Sequence, residues 1–387
     1  MAEIEIGLGK SGRRAYGFDD IAIVPSRRTR DPEDVDISWQ IDAYRFELPL
    51  MAAAMDGVVS PATAIQIGRL GGVGVLNLEG LWTRYEDADS VLAEIAELPV
   101  EKATRRMQEL YQQPIIPGLV TERIREINDA GVVSCASVTP QRTTALLDDI
   151  LAGELDMLVI QGTVVSAEHV SKTIEPLNLK TFIRQLEIPV IVGGCATNRA
   201  ALHLMRTGAA GVLVGVGPGH ACTTRGVLGL GVPQATAIAD VRAARMRHLD
   251  ETGVYCHVIA DGGMATGGDI SKAIVCGADA VMIGSPLAAA TEAPGRGYHW
   301  GMATFHPTLP RGARVRTATR GTISEILLGP ARENDGRLNL MGGLRTSMAT
   351  CGYVDIKEFQ KAEVMVAPAL LTEGKSLQRS QGVGMGH

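Results

Sequence analysis

Eight short stretches of this sequence are apolar without interruption, and that continuity constrains the fold more than any other feature. They are LPLMAAAM (48–55), GGVGVLN (71–77), VVSCASV (132–138), MLVIQG (157–162), PVIVGGC (189–195), GVLVGVG (211–217), HVIADGG (257–263) and AVMIGS (280–285). A strand with one wet face alternates apolar and polar residues. A strand covered on both faces reads as a continuous apolar run, and parallel sheets clad in helices are where such strands occur. Helical patterns lie between many of the runs. In 197–208 Thr197 is expected to cap, Ala201, Leu204 and Met205 share a face, and Gly208 ends the helix. In 269–277 Asp269 is expected to cap, Ile270, Ala273 and Ile274 share a face, and Gly277 ends it.

Two of these strand–helix units repeat. GCATNRAALHLMRTGAAGVLVG (194–215) aligns without a gap on GMATGGDISKAIVCGADAVMIG (263–284), an offset of 69 residues. Eight strands alternating with helices make an α/β fold, a (β/α)₈ TIM barrel, the leading architecture, with a doubly wound open sheet as the alternative. The expectation is one catalytic domain over 1–387. Three parts fall outside the barrel pattern: a charged, largely helical connection at 78–130, a Gly-, Pro- and Arg-rich loop region at about 286–337 over the barrel mouth, and a polar tail at about 369–387.

Composition excludes several classes. No apolar run approaches the ~20 residues of a membrane span, and the start, MAEIEIGLGKSGRR, lacks the apolar core of a signal peptide. A cytoplasmic protein without membrane contact is expected. Six cysteines (135, 195, 222, 256, 276 and 351) show no metal-ligand spacing, which argues against zinc and structural disulfides. A formal net charge of −6 without a long basic run argues against nucleic acid.

Three motifs carry chemistry, all at the ends of late strands, where barrels of this kind place their active sites. In GPGHACTTR (217–225) Cys222 follows a turn of Gly215, Gly217 and Gly219 that lets the backbone fold tightly, and Thr223 and Thr224 add hydroxyls. A lone cysteine is more often a small buried hydrophobe; the glycine turn and the strand-end position make a nucleophile an equal reading. In DGGMATGGD (261–269) Asp261 ends an apolar strand, where a carboxylate is costly unless it binds something, and it suits both hydroxyls of a ribose. In IGSPL (283–287) Gly284 and Ser285 precede a helix start and suit a phosphate. Each motif alone is weak, but nucleophile, ribose acceptor and phosphate site on adjacent strands point to a nucleotide pocket.

Together with FDDIAIVPS (18–26), AAMDGV (53–58), GVLGLGVPQATAI (226–238) and GGLRTSMATCGY (342–353), these motifs resemble the IMP dehydrogenase/GMP reductase family, in order over about residues 16–360. The chain is most similar to its bacterial members without cystathionine-β-synthase-type (CBS) modules. The resemblance implies that Cys222 attacks C2 of a purine, with Thr224 handling water or the departing amine. It further implies that Asp261 binds ribose, that Gly263, Gly284, Ser285 and His299 contact phosphate, and that Ala54, Met55, His220, Gly301 and Met302 contact the nucleotide. Gln161, Gly162 and Cys195 are implied at the nicotinamide cofactor, and the carbonyls of Gly217, Gly219 and Cys222 around K⁺. A homo-oligomer is implied, a tetramer or an octamer. Four positions depart from the family pattern: His220 replaces a serine, His299 a phosphate-binding tyrosine and Cys195 an asparagine, while Arg311 aligns with a catalytic glutamate. Glu325, Glu333 and Asp335 are alternative carboxylates.

The substrate implied is a purine 5′-monophosphate, GMP or IMP. No CBS-type insertion follows the second strand, and only seven residues (303–309) separate GM (301–302) from PRG (310–312), with no Arg-Tyr pair after them. Both features favour GMP reductase, GMP + NADPH → IMP + NADP⁺ + NH₃. The alternatives are an IMP dehydrogenase using NAD and a non-catalytic nucleotide-binding regulator.

Overall fold

The computed structural model describes residues 3–172, 176–301, 314–367 and 374–384. Each of the eight apolar runs contains one strand: β1 Leu50–Ala52, β2 Val73–Asn77, β3 Cys135–Val138, β4 Met157–Gln161, β5 Val190–Cys195, β6 Gly211–Val214, β7 His257–Asp261 and β8 Ala280–Ile283. They are parallel and follow one another around a closed barrel, and β8 pairs back onto β1 with Val281 opposite Leu50. The fold is a (β/α)₈ TIM barrel, and closure removes the open-sheet alternative.

Side chains of a strand point alternately to its two faces, which divides the core into two layers. Met51, Val75, Met157, Val159, Ile191, Leu213, Ile259 and Met282 point inward and fill the barrel. Trp39, Ile41 and Phe46 join this inner cluster from a hairpin of Trp39–Ile41 and Tyr44–Phe46 that plugs the N-terminal end. The intervening residues, among them Leu50, Leu76, Val192, Val212 and Val281, point outward and meet the helices. Burial of each such side chain contributes about 1.5–3 kcal/mol. Close approach of helix to sheet needs small residues: on β2 a Cβ at Gly74 would stand 2.6 Å from Ala64 Cα in the helix Pro61–Arg69.

Local sequence accounts for the helix ends. Thr197 accepts from the Ala200 amide and starts Asn198–Met205. The helix after β7 begins earlier than its pattern suggests, at Gly267, with Thr266 as its cap. Asp269 is the third helical residue, and its carboxylate returns to the Thr266 amide, so its role is the second half of a capping box. The connection at 78–130 forms three helices, Ala88–Glu97, Val100–Leu110 and Pro117–Asp129. Among its described residues the 286–337 region holds the helix Ile323–Leu328, and Tyr298–His299 pairs antiparallel with Val315–Arg316. In the tail, Ser376–Gln381 is helical, and the Gly384 amide donates to Asn334 Oδ1 at 3.3 Å. Among the described residues no helix is long and apolar enough to cross a membrane.

Candidate active site

Inward alternation carried one step past each strand end builds a cavity at the C-terminal mouth of the barrel. Ala53 and Met55 after β1, Gln161 at the end of β4, Gly215 after β6 and Asp261 at the end of β7 all line it. The cavity encloses about 1110 Å³, counting the open space at its mouth. The rest of its wall comes from the loop after β6 (Gly217 to Thr224), from Gly262 to Met264 after β7, from Gly284 and Ser285 after β8, and from Gly162, Thr163 and Gly301.

The loop after β6 is folded by its own turns. Cys222 donates its amide to the Gly219 carbonyl at 3.0 Å, and Gly217 has a φ of +81°, which glycine adopts without strain. Arg225 packs its stem against Gly217 and sends its guanidinium to the Val232 carbonyl at 2.9 Å, tying the loop to the chain that leaves it. Cys222 is exposed in this cavity and its thiol donates to Thr224 Oγ1 at 3.2 Å, while Thr224 itself is 2% exposed. An accessible sulfur beside a fixed hydroxyl is an arrangement suited to nucleophilic attack followed by proton transfer.

Next to it, Gln234 Nε2 donates to the Val214 carbonyl at 2.7 Å and to the Asp261 carbonyl at 3.0 Å, holding the ends of β6 and β7 together. Gly215 has no room for a side chain here: a Cβ would lie 2.2 Å from the Asp261 carbonyl oxygen.

Asp261 is the unusual charge of the mouth. Its carboxylate takes one hydrogen bond among the described residues, from Gln161 Nε2 at 3.1 Å, and burial pushes its pKa up to about 7. Among the described residues Gln161 Oε1 is buried without a partner. Both groups have unused accepting capacity, which fits a ligand that brings hydroxyl or amide donors.

Most residues singled out from the sequence meet at this cavity: Ala54, Met55, Gln161, Gly162, Gly217, Gly219, His220, Cys222, Thr224, Asp261, Gly263, Gly284, Ser285 and Gly301. Two do not. Cys195 is 1% exposed, because a register shift between Gly193 and Cys195 turns it out of the barrel into the outer layer, where its thiol meets the Leu213 carbonyl at 3.5 Å. His299 is 1% exposed and stands behind Ser285 rather than in the cavity. Burial, with His220 nearby, pushes its pKa down to about 4, so it brings no positive charge to the mouth at neutral pH.

None of the alternative carboxylates reaches the cavity. Glu325 caps its own helix and pairs with Arg332, and Glu333 and Asp335 pair with Arg320. Met302 and Arg311 lie outside the described residues. Thr163, Met264 and Gln234 were not singled out from the sequence. Gln234 lies inside GVPQATAI, but only the fold shows that its amide spans two strand ends.

The model of the IMP dehydrogenase / GMP reductase domain matches residues 15–376. An uncharacterized oxidoreductase of Mycolicibacterium smegmatis is 50% identical over 372 residues, covering 94% of this chain and 99% of the relative. The inosine-5′-monophosphate dehydrogenase of Methanocaldococcus jannaschii is 27% identical over 482 residues, covering 92% of this chain and 94% of the relative. The crystal structure of an IMP dehydrogenase/GMP reductase-like protein from Corynebacterium glutamicum superposes with a TM-score of 0.89 at 46% identity, over 94% of this chain and 97% of that one. By sequence and by fold, the chain belongs to the IMP dehydrogenase/GMP reductase family of oxidoreductases.

Proposed function

We propose that this chain oxidises IMP with NAD, through a covalent bond between Cys222 Sγ and C2 of the base. The observation that carries the chemistry is the thiol–hydroxyl pair of Cys222 and Thr224, 3.2 Å apart in the wall of a cavity floored by Asp261. The sulfur adds its electron pair to C2, the C2–N3 π pair moves to N3, and the thiol proton passes by way of Thr224 Oγ1 to N3. A nicotinamide bound beside Gln161 and Gly162 would supply the acceptor for the C2 hydride, and N3 gives up its proton. Water held at Thr224 adds to C2 and the C–S bond breaks, returning the thiol and XMP. Asp261 accepts the ribose hydroxyls, Gly263, Gly284 and Ser285 hold the 5′-phosphate, and Ala54, Met55, His220 and Gly301 border the base. Gln161, with its unpartnered Oε1, and Gly162 suit the carboxamide of nicotinamide.

The direction rests on the archaeal relative, a dehydrogenase by name, that aligns over 92% of this chain. GMP reduction with NADPH is the second reading. It is favoured by the same alignment, whose 482 positions exceed the 387 residues here, so the dehydrogenase has a portion with no counterpart in this chain. The short 303–309 segment that also favoured reduction lies outside the described residues. A K⁺ ion on the Gly217, Gly219 and Cys222 carbonyls, a homotetramer or octamer, and a cytoplasmic setting are proposed on the family resemblance.

Absorbance at 340 nm separates the readings with purified protein. IMP plus NAD should raise it. A fall with GMP plus NADPH, and no change with IMP plus NAD, reverses the direction. Silence in both assays from protein that still binds IMP would leave a nucleotide-binding regulator.

A further inference from the structure

Behind the phosphate end of the cavity, three side chains from three chain segments form a line. Ser285 Oγ lies 2.8 Å from His299 Nε2, and Thr317 Oγ1 lies 2.7 Å from His299 Nδ1. Ser285 faces the cavity and His299 does not. The line is held by backbone on both sides: His299 pairs with Val315 across the short ribbon, and the Thr317 amide donates to the Gly297 carbonyl at 2.8 Å.

A neutral imidazole has one N–H and one bare nitrogen, so the proton's place sets the direction of the whole line. With the proton on Nε2, Thr317 donates to Nδ1, Nε2 donates to Ser285 Oγ, and the Ser285 hydroxyl hydrogen is free to point into the cavity. With the proton on Nδ1 the line reverses. Ser285 then uses its one hydrogen on Nε2 and shows the cavity only lone pairs. The first arrangement attracts an anion and the second repels it.

We infer that His299 is a positioning residue: through the Nε2–H tautomer, anchored by Thr317, it makes Ser285 a hydrogen-bond donor to a phosphate group in the cavity. The inference rests on the reading that Ser285 meets the nucleotide's phosphate. It replaces the direct contact expected from the sequence with an indirect one. The burial that keeps His299 neutral supports it, since only the neutral ring has a tautomer to choose. An anionic ligand and the Nε2–H form therefore stabilise each other.

The test is calorimetric titration with IMP, inosine and inorganic phosphate, on wild type, Ser285→Ala, His299→Asn, His299→Gln and Thr317→Val. A hydrogen bond to a charged group is worth roughly tenfold or more in affinity. Ser285→Ala and His299→Asn should weaken IMP by about that factor and leave inosine unchanged. His299→Gln, whose amide can donate from the place of Nε2, should bind IMP within about threefold of wild type. Thr317→Val should weaken IMP without touching inosine, and it serves in place of His299→Asn if that variant does not fold. Inorganic phosphate should follow IMP, showing that the phosphate group itself is what is recognised; phosphate binding unaffected by His299→Asn contradicts the inference. If Ser285→Ala weakens IMP and neither His299→Asn nor Thr317→Val does, the inference is wrong and the phosphate reading stands. If Ser285→Ala weakens inosine as much as IMP, the phosphate reading at Ser285 fails as well. Equal losses for IMP and inosine in the His299 variants reduce that residue to packing.

Discussion

Asp261 and Asp279 sit at opposite ends of the neighbouring strands β7 and β8, and the protein treats them in opposite ways. Asp279, 0% exposed just before β8, is fully partnered. Arg245 Nη1 lies 2.9 Å away, Tyr255 donates at 2.7 Å, Gln360 at 3.0 Å and the Val258 amide at 2.8 Å, with Lys357 beside them. Those cations hold its carboxyl well below the usual range despite burial. Asp261, at the mouth, has one donor among the described residues and a raised pKa. A buried charge that is fully bonded serves the fold, and one left short of donors has capacity for a ligand. The N-terminal end of this barrel is accordingly built for stability, while the C-terminal end keeps an underbonded carboxylate in the cavity where the proposed chemistry would take place.

The sharpest break between the two ends should come from function alone. Cys222→Ala should lower turnover by on the order of 1000-fold or more, with the melting temperature and IMP affinity little changed; a residual rate within tenfold of wild type contradicts the covalent role. At the other end, Asp279→Ala leaves Arg245 buried without its carboxylate and should cost about 3–5 kcal/mol of stability, read by denaturant unfolding. If the variant unfolds at the wild-type midpoint, the cluster at the N-terminal end is not what stabilises it.

Next in size are opposite responses to pH. The Asp279 pKa is depressed in the fold, so its contribution is present above the ordinary carboxylate pKa near 3.8 and lost as pH falls below it. The Asp261 pKa is raised, so its contribution is fully present only below the ordinary carboxylate pKa near 3.8 and is lost as pH rises through about 7. Ligand-free Asp261→Asn should therefore gain in melting temperature over wild type between pH 5 and pH 8, and Asp279→Asn should lose its deficit only in strong acid. Parallel curves for the two variants erase the distinction. The smallest effect expected is Trp39→Phe, which removes the 3.1 Å bond from Nε1 to His257 Nδ1 at the barrel plug and should cost about 1 kcal/mol, without altering IMP binding.

What the sequence makes legible follows from the range of each signal. The barrel is readable because doubly covered strands leave continuous apolar runs, and the position of Cys222, Asp261 and Ser285 at the cavity because strand-end position and residue type coincide within a few residues. Cys195 was misplaced because a bulge reverses alternation without leaving a mark in composition. His299 was misplaced because its burial depends on Thr317 and Ser285, which approach it from separate segments. Asp279 carried no signal at all: Arg245, Lys357 and Gln360 reach it from 34, 78 and 81 residues away. Local chemistry can be read from a string; partners assembled by the fold cannot.

The proposed role of Asp261 is to hold a nucleotide's ribose with the carboxylate that the fold leaves underbonded. It is tested most directly by titrating IMP into wild type, Asp261→Asn and Asp279→Asn at pH 8, with melting temperatures taken on the same ligand-free samples. Loss of a carboxylate that accepts two hydroxyls should weaken IMP by roughly 100-fold in Asp261→Asn, while that variant melts no lower than wild type. Asp279→Asn should show the reverse, a lower melting temperature with IMP affinity retained. Wild-type affinity in Asp261→Asn, or a melting temperature that falls with it, would contradict that role.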